Sequence, residues 1–371
     1  MQSHSEDLSP WLIAICLSWA VTMCASAGVI FSILVNQMNV PPALCVSWRL
    51  AWVEMIQLIP FALTMRSVKR HDDVTRFEDD SQNNGMEMIG TLCLDEPKIL
   101  EDEAIIQSST TEERLIMPRI FQALPLLILS GICLGIHFSA WVWSLQLTSL
   151  THSMLWVSMG PVLLNAGSWV FFLCGNHCAP TCLESSGALV GFLGAVIMLG
   201  DMGQNSPDKI GQDPTAFGDF VALVGAAAVS IYLVIGRHLR EWMPLWVYTF
   251  GVVGSAYITT LMLAILTGEV TFTNTFGFLY HPYVWYALYL GIGPGVGGHT
   301  LLNGLLKFIS PLTVSTAMLA EPLVGSLMGY AVGMQAMPGL YTWIGGFVLL
   351  GGLALVAYGD NKEKNANASA I

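Results

Sequence analysis

The chain has 371 residues, of which 54% are hydrophobic and only 11% are charged. A soluble domain carries about 25% charged residues, so this composition excludes an ordinary soluble protein. The net charge is -12, and the sequence offers no basic face to neutralise phosphates, so we predict no nucleic-acid partner.

Apolar runs of the length that crosses a lipid bilayer as a helix, about 20 residues, recur along the whole chain. The first ten residues contain no Lys or Arg, so the first run is predicted to be a retained anchor helix and not a cleaved signal peptide. The sequence predicts an all-α polytopic membrane protein with ten transmembrane helices, at 11–34, 43–65, 120–147, 150–173, 184–200, 218–236, 244–267, 283–306, 310–333 and 339–358.

Two charged residues, Arg49 and Glu54, interrupt the second span. A charge at the bilayer centre costs about 2.5–3.5 kcal/mol, so we expect each group to face a cavity or a partner. For Arg49, the alternative is that its long side chain reaches the membrane surface. Glu54 points about 140° away from Arg49 on a helix, so it needs a partner on another helix.

The connection at 66–119 is polar, mixed in charge and poor in aromatic residues. This composition predicts a disordered loop. We expect a short Gly-Ser replacement to leave the activity of the membrane part intact and to affect regulation or stability.

The third and fourth spans carry candidate binding residues. His137, Trp141 and Ser144 share one helix face by their i, i+4, i+7 spacing. This face is either a substrate-facing stripe with an aromatic wall for a cation, or ordinary packing. Trp156 is a candidate for the same wall, and Pro161, five residues later, is a candidate hinge.

The segment "CGNHCAPTC" follows the fourth span and contains Cys174, Cys178 and Cys182. A zinc site pairs two short Cys or His dyads, and the second dyad is missing here. We interpret the segment as a helix-connecting loop, with lipidation and metal binding as the alternatives. No metal and no cofactor are predicted.

The eighth span contains "GIGPGVGG" at 291–298, which has GxGxxG spacing. A nucleotide site with this spacing needs a preceding strand in a soluble domain, so close helix packing and a hinge at Pro294 are the better interpretation. His299 and Asn303 follow on one helix face and are candidates to line a cavity.

The ninth span holds Glu321 next to Pro322 in the apolar run "VSTAMLAEPLVGSLMGYAVG". Proline has no N–H to donate to the carbonyl of Met318, so the helix is expected to kink. A carboxylate beside this kink makes a polar pocket at mid-depth, where Glu321 binds a cationic solute or takes up a proton. The alternative is a permanent pair with Arg49 or His299 that only stabilises the bundle.

An internal repeat relates the two halves. A shift of 161 residues places 131–161 on 292–322 without a gap, and Pro161 then falls on Pro322. Five spans per unit is an odd number, so the second unit enters the membrane upside down. Inverted repeats of this kind are typical of secondary transporters.

The segments "GDFVALVGAAAVSIYLVIGRHLRE" (218–241) and "LLKFISPLTVSTAMLAEPLVGSLMGYAVG" resemble the EamA-type repeat of the drug/metabolite transporter superfamily. The first half resembles it through "PPALCVSWRLAW" (41–52) and 149–172. The resemblance implies a ten-helix carrier with two inverted five-helix repeats around a central cavity. The repeats would occupy 1–201 and 218–360, followed by a tail at 361–371. The Gly-Glu pair that commonly follows the fourth helix of such repeats is absent here.

Lys and Arg residues indicate the orientation. Of the 14, twelve lie on the side shared by the N-terminus, the 66–119 connection and the C-terminus, which predicts that these segments are cytoplasmic. We therefore predict a multi-pass secondary transporter for a small organic solute, with the proton as a candidate coupling ion. A membrane-embedded enzyme and a membrane sensor or scaffold are the alternatives.

Overall fold

The computed structural model describes residues 8–90, 115–148, 150–175, 180–202, 215–331 and 337–369. Within these ranges the chain is helical and contains no strand. The α-helices are α1 (Pro10–Ser32), α2 (Pro42–Gly90), α3 (Ile116–Gln122), α4 (Leu124–Leu147), α5 (Leu150–Val157), α6 (Gly160–Leu173), α7 (Cys182–Met202), α8 (Ala216–Arg240), α9 (Leu245–Leu266), α10 (Phe272–Thr275), α11 (Tyr283–Leu290), α12 (Leu301–Leu305), α13 (Pro311–Met318), α14 (Glu321–Ala331) and α15 (Leu340–Ser369).

Eight helical segments in the described ranges are long and apolar enough to cross a membrane, and one of them, Ser153–Leu173, contains the break between α5 and α6. They match eight of the ten predicted spans. Many of their large apolar side chains point outward, such as Phe347 at 72% exposure and Ile59 at 70%. An outer surface of this kind is stable in lipid and not in water, so the chain is an all-helical, multi-pass membrane protein.

The two remaining predicted spans, 283–306 and 310–333, are each divided into shorter segments. In the first, α11 passes into a π-helical stretch at Gly291–Thr300 and then into α12. Glycines let this stretch lie close to α1 and α2: a Cβ on Gly298 would lie 2.6 Å from the sulfur of Cys24, and one on Gly291 would lie 2.7 Å from Trp52.

The kink expected at Pro322 is a break between α13 and α14. The N–H of Ala320 donates to the carbonyl of Ala317 at 3.0 Å, a tight turn that ends α13 before α14 begins at Glu321. The fourth predicted span has a corresponding break, where the N–H of Met159 donates to the carbonyl of Trp156 at 3.3 Å. Gly160 and Pro161 then begin α6.

The prediction of a wholly disordered 66–119 connection is wrong for residues 66–90, because α2 continues through them. Interspersed Arg, Lys, Glu and Asp side chains make this stretch polar, yet it contains no Pro or Gly before Gly85 that would end a helix. Residues 116–119 are also helical, in α3. Residues 91–114 lie outside the described residues.

The carboxylate of Asp72, in the polar part of α2, joins this helix to α3. Its two oxygens accept from the N–H groups of Ile116 at 3.0 Å and Met117 at 2.8 Å, at the start of α3. We expect Asp72→Ala to lower the free energy of unfolding by about 1 kcal/mol, because these helix-end donors lose their acceptor. Thermal unfolding of the purified protein measures this loss. Asp73→Ala, at the exposed neighbouring position, is the control, and equal effects would contradict the capping role.

The helices α7 and α15 pack closely against each other and run antiparallel. A Cβ on Gly187 would lie 2.8 Å from the carbonyl oxygen of Gly352, so the two backbones touch where both helices carry glycine. At the far end of the pair, the carboxylate of Asp201 accepts from the N–H of Thr342 at 2.6 Å. In a membrane, small residues promote helix association because they allow this close approach.

Candidate functional site

A cavity of about 120 Å³ lies between the helices, and both halves of the chain line it. The first half contributes α1, α2, α4 and the break between α5 and α6. The second half contributes α8, the π-helical stretch and the break between α13 and α14. Most of the wall is apolar, and its polar or charged side chains include Arg49, His137, Trp141, Ser158, His299, Ser315 and Glu321.

Arg49 lies at the wall of this cavity and is 2% exposed, so its side chain does not reach the membrane surface. Its Nη2 donates to the carbonyl of Pro294 at 3.3 Å. The guanidinium lies 4.8 Å from the ring centre of Phe138 and 6.0 Å from that of Phe31, where the ring faces attract a cation. Its Nε has no hydrogen-bond partner within the described part of the chain. Because arginine stays protonated, Arg49 gives the wall of the cavity a fixed positive charge.

Glu321 is the first residue of α14 and lines the cavity beside Pro322. The ion pairs within the described ranges are His71 with Asp72 and Arg237 with Glu241, so the predicted alternative of a permanent ion pair for Glu321 is not formed there.

Two histidines complete the polar wall. Nδ1 of His137 is 2.9 Å from the carbonyl oxygen of Gly225, so this nitrogen is the donor and Nε2 of the neutral ring is an acceptor. His299 stands edge-on to Phe138, with ring centres 5.1 Å apart. Trp141, four residues after His137 on α4, also lines the cavity, and its Nε1 has no hydrogen-bond partner among the residues that the structure describes.

The two helix breaks meet at the cavity. A Cβ on Gly160 would lie 2.7 Å from the hydroxyl oxygen of Ser315, so the start of α6 touches α13 directly. Pro161 and Pro322, the two predicted hinges of these spans, both line the cavity. Pro294, the third predicted hinge, is inside the π-helical stretch and contacts the site through the carbonyl that binds Arg49.

Three predicted site residues are not among the residues that line this cavity. Glu54 is half-buried between α2 and α9, where its Oε1 would lie 3.0 Å from a Cβ on Gly254. Asn303 is buried, and its side-chain oxygen accepts from the hydroxyl of Tyr232 at 2.5 Å. Trp156 lies just before the α5–α6 break and is half-buried.

Sequence reasoning missed several lining residues that the internal repeat identifies. Five residues of the fourth predicted span line the cavity. Adding 161 to the number of each gives the five residues of the ninth span that line it. The same shift relates Phe138 to His299, which also line the cavity and contact each other. The matched pairs are Met154 with Ser315, Val157 with Met318, Ser158 with Leu319, Gly160 with Glu321, and Pro161 with Pro322.

Comparison with known proteins identifies part of the chain. The family model of the EamA-like transporter family, a domain of the drug/metabolite transporter superfamily, matches residues 216–358. This confirms the resemblance predicted from the sequence for the second half. A crystal structure of another protein aligns with 95% of this chain and 99% of its own, with a TM-score of 0.58 and 16% identity, and it supports the fold alone. No curated protein matches the sequence.

Proposed function

We propose, from the premise that residues 216–358 are an EamA-like transporter domain, that this protein is a secondary transporter for a small organic solute. The observation that carries the proposal is the cavity walled by both halves of the chain, with the charged residues Arg49 and Glu321 in its wall. Transport would follow alternating access, with the solute bound between the halves while the cavity opens to one side and then to the other.

A ten-span arrangement of two inverted repeats is part of this proposal. It is supported by the breaks in the fourth and ninth predicted spans, which lie 161 residues apart and have matching tight turns. The packing of α7 against α15, and of α2 against α9, also joins corresponding spans of the two units in pairs, an arrangement that a two-fold axis between the units produces. The proposed units keep their predicted boundaries of 1–201 and 218–360.

The proposed roles follow from the cavity. Arg49, His137, Trp141, His299 and Glu321 would contact the solute, since all five line the wall. The breaks at Pro161 and Pro322 would serve as hinges, because helix segments joined by a turn can tilt independently. The proton remains the candidate coupling ion, with Glu321 as its carrier.

Transport by the purified chain tests the proposal. The protein is reconstituted into liposomes preloaded with a mixed panel of amino acids, amines, organic acids and nucleotide sugars, and efflux and exchange of each solute are followed. We expect saturable exchange of at least one class, and empty liposomes are the control. A folded, reconstituted protein that exchanges none of them contradicts the transporter proposal.

The proposed orientation has cytoplasmic termini. Arg237 donates to the carbonyl of Leu306 at 2.6 Å, and the guanidinium of Arg119 lies 4.5 Å from the ring centre of Trp242, so these contacts bring basic side chains to one end of the bundle. Positive residues favour the cytoplasmic side. This end of the bundle carries Arg119, Arg237, Arg240 and Lys307.

We expect cysteines introduced as Gly85→Cys and Asn365→Cys to resist an impermeant thiol reagent in intact cells that carry the protein in their plasma membrane. Met337→Cys, at a position that is 58% exposed and predicted to lie outside, is the positive control and should react. Labelling is compared before and after permeabilisation. Efficient reaction at position 85 or 365 before permeabilisation would contradict the proposed orientation.

A further inference from the structure

The part of α2 that leaves the predicted second span carries a compact group of positive charges. Residues 55–70 contain Arg66, Lys69 and Arg70 and no Asp or Glu. All three side chains are exposed, and the ion pairs of the described chain do not include them. Three positive charges within five residues, without a protein carboxylate in contact, favour a negatively charged partner.

Two of these residues continue the lipid-facing side of α2. Spacings of four, three and four residues place the following side chains on one helix face: Ile59, Leu63, Arg66 and Arg70. Ile59 is 70% exposed and Leu63 is 59% exposed, so this face is the one that lipid covers. Val68, which points in another direction, is buried. The two arginines therefore point outward, in line with the apolar surface against which acyl chains lie, and away from the bundle.

The length of α2 places Arg66 and Arg70 at the level of the lipid headgroups. The part of the helix from Pro42 to Leu63 is about 33 Å long, at a rise of about 1.5 Å per residue. The hydrocarbon core of a bilayer is about 30 Å thick, so this part crosses it. The next turn of the helix, from Arg66 to Arg70, then lies where the phosphate groups of the lipids are.

A tryptophan at the same end of the bundle indicates the same level. α3 is joined to α2 at Asp72, two residues after Arg70, and runs back toward the membrane, since it leads into α4. In α3, the guanidinium of Arg119 lies 4.5 Å from the ring centre of Trp242. Tryptophan is enriched where a membrane meets water. The length of α2 and the position of Trp242 are independent indications of depth, and they agree.

We propose that this end of α2 binds an anionic phospholipid, with its phosphate at Arg66 and Arg70 and its acyl chains along Ile59 and Leu63. Arginine suits this role because its planar guanidinium can donate two hydrogen bonds to one phosphate. On the proposed orientation the site faces the cytoplasmic leaflet, which carries the anionic lipids. The site lies outside the cavity, and it does not depend on the proposed transport function.

The surroundings favour a lipid over a soluble anion. A free phosphate would contact only the arginines, whereas a phospholipid also covers the exposed side chains of Ile59 and Leu63. Asp73, the next residue on this face, is exposed and lies one turn further from the membrane, so negative charge is disfavoured beyond the headgroup level. The site therefore selects a negative charge at headgroup depth that is attached to an apolar tail.

Thermal unfolding of the purified full-length protein in micelles of an uncharged detergent tests the proposal, whatever its orientation in a cell. The additions are palmitoyl-oleoyl phosphatidylglycerol, phosphatidylcholine with the same acyl chains, or inorganic phosphate. We expect phosphatidylglycerol to raise the unfolding midpoint by about 3 °C more than phosphatidylcholine at equal concentration, and inorganic phosphate to have no such effect. About 1 M NaCl should remove most of the difference. An equal rise with phosphatidylcholine or with inorganic phosphate overturns the proposal.

Matched variants assign the effect to the two arginines. The concentration of phosphatidylglycerol that gives half of the full rise measures the apparent affinity. Arg66→Gln and Arg70→Gln should each weaken it about fivefold, the usual contribution of one basic residue near an anionic surface. Arg70→Lys keeps the charge and should keep most of the affinity. Arg76→Gln is the control, because it removes the same charge from an exposed position six residues further along α2.

The variants leave the outcome decidable. Arg66 and Arg70 are exposed, so their replacement leaves the packed interior unchanged, and unfolding curves without lipid check this. Unchanged affinity in the double variant Arg66→Gln/Arg70→Gln, or equal losses at positions 70 and 76, would show that the lipid binds elsewhere or is attracted by net charge alone. The wild-type comparison of the two lipids decides the preference for an anionic headgroup without any variant.

Discussion

Glu321→Gln is expected to insert and fold normally but to lose solute transport or the dependence of transport on pH. Glutamine keeps the shape of the side chain and removes its charge. Glu321 lines the cavity at the α13–α14 break, where a carboxyl group can change protonation as the cavity opens to each side. If Glu321 instead stabilised a buried cation by direct pairing, the variant would lose about 3–5 kcal/mol of stability. The ion pairs of the described chain do not include Glu321, so we expect no such loss.

Uptake into proteoliposomes across a range of pH measures the effect, and thermal unfolding of the same preparation measures stability. Glu241→Gln is the matched control, because Glu241 is 55% exposed and lies away from the cavity. Unchanged transport at every pH in a well-folded Glu321→Gln protein would exclude a functional role for the carboxylate.

The part of the fold that depends on hydrophobicity alone was predictable from the sequence. Long apolar runs predicted the eight helical segments that can cross a membrane, since a membrane leaves the backbone few alternatives to a helix. Proline predicted the distortion at Pro322 but not its form, because the break is a tight turn from Ala317 to Ala320 that ends α13 before the proline. Residues 66–90 were misinterpreted because their polar composition resembles that of a disordered chain, although a polar helix has the same composition.

The candidate site was predictable in its residue types more than in their positions. Buried charge and aromatic spacing selected Arg49, His137 and Glu321, and the structure brings them to one cavity. The same reasoning selected Glu54 and Asn303, which lie at helix interfaces. Helical spacing shows which residues share a face, but a helix that is apolar all round gives no signal for which face points inward. The internal repeat supplies part of that signal, because it relates the lining positions of the two broken spans.

The second large effect, a loss of stability on substitution of a glycine, is expected at the contact between α7 and α15. Gly352 lies against the backbone of Gly191, so a larger side chain would force the two helices apart, whereas a Cβ on Gly351 would meet no atom within 4 Å. Lipid chains are as apolar as leucine, so close packing and not hydrophobic burial stabilises this pair.

Gly352→Leu should therefore lower the free energy of unfolding by about 3 kcal/mol, at the upper end of the usual overpacking range, because the obstructing atoms belong to a backbone and cannot rotate away. Gly351→Leu is the control: it adds the same side chain one residue earlier, at an exposed position on the same helix. Thermal unfolding in detergent and the yield of monodisperse protein compare the two variants. Equal losses would show that leucine affects α15 by itself, and no loss at position 352 would contradict the close contact. If α7 and α15 form the rigid pair against which the broken spans move, Gly352→Leu should also abolish transport, while Gly351→Leu should leave it near the wild-type rate.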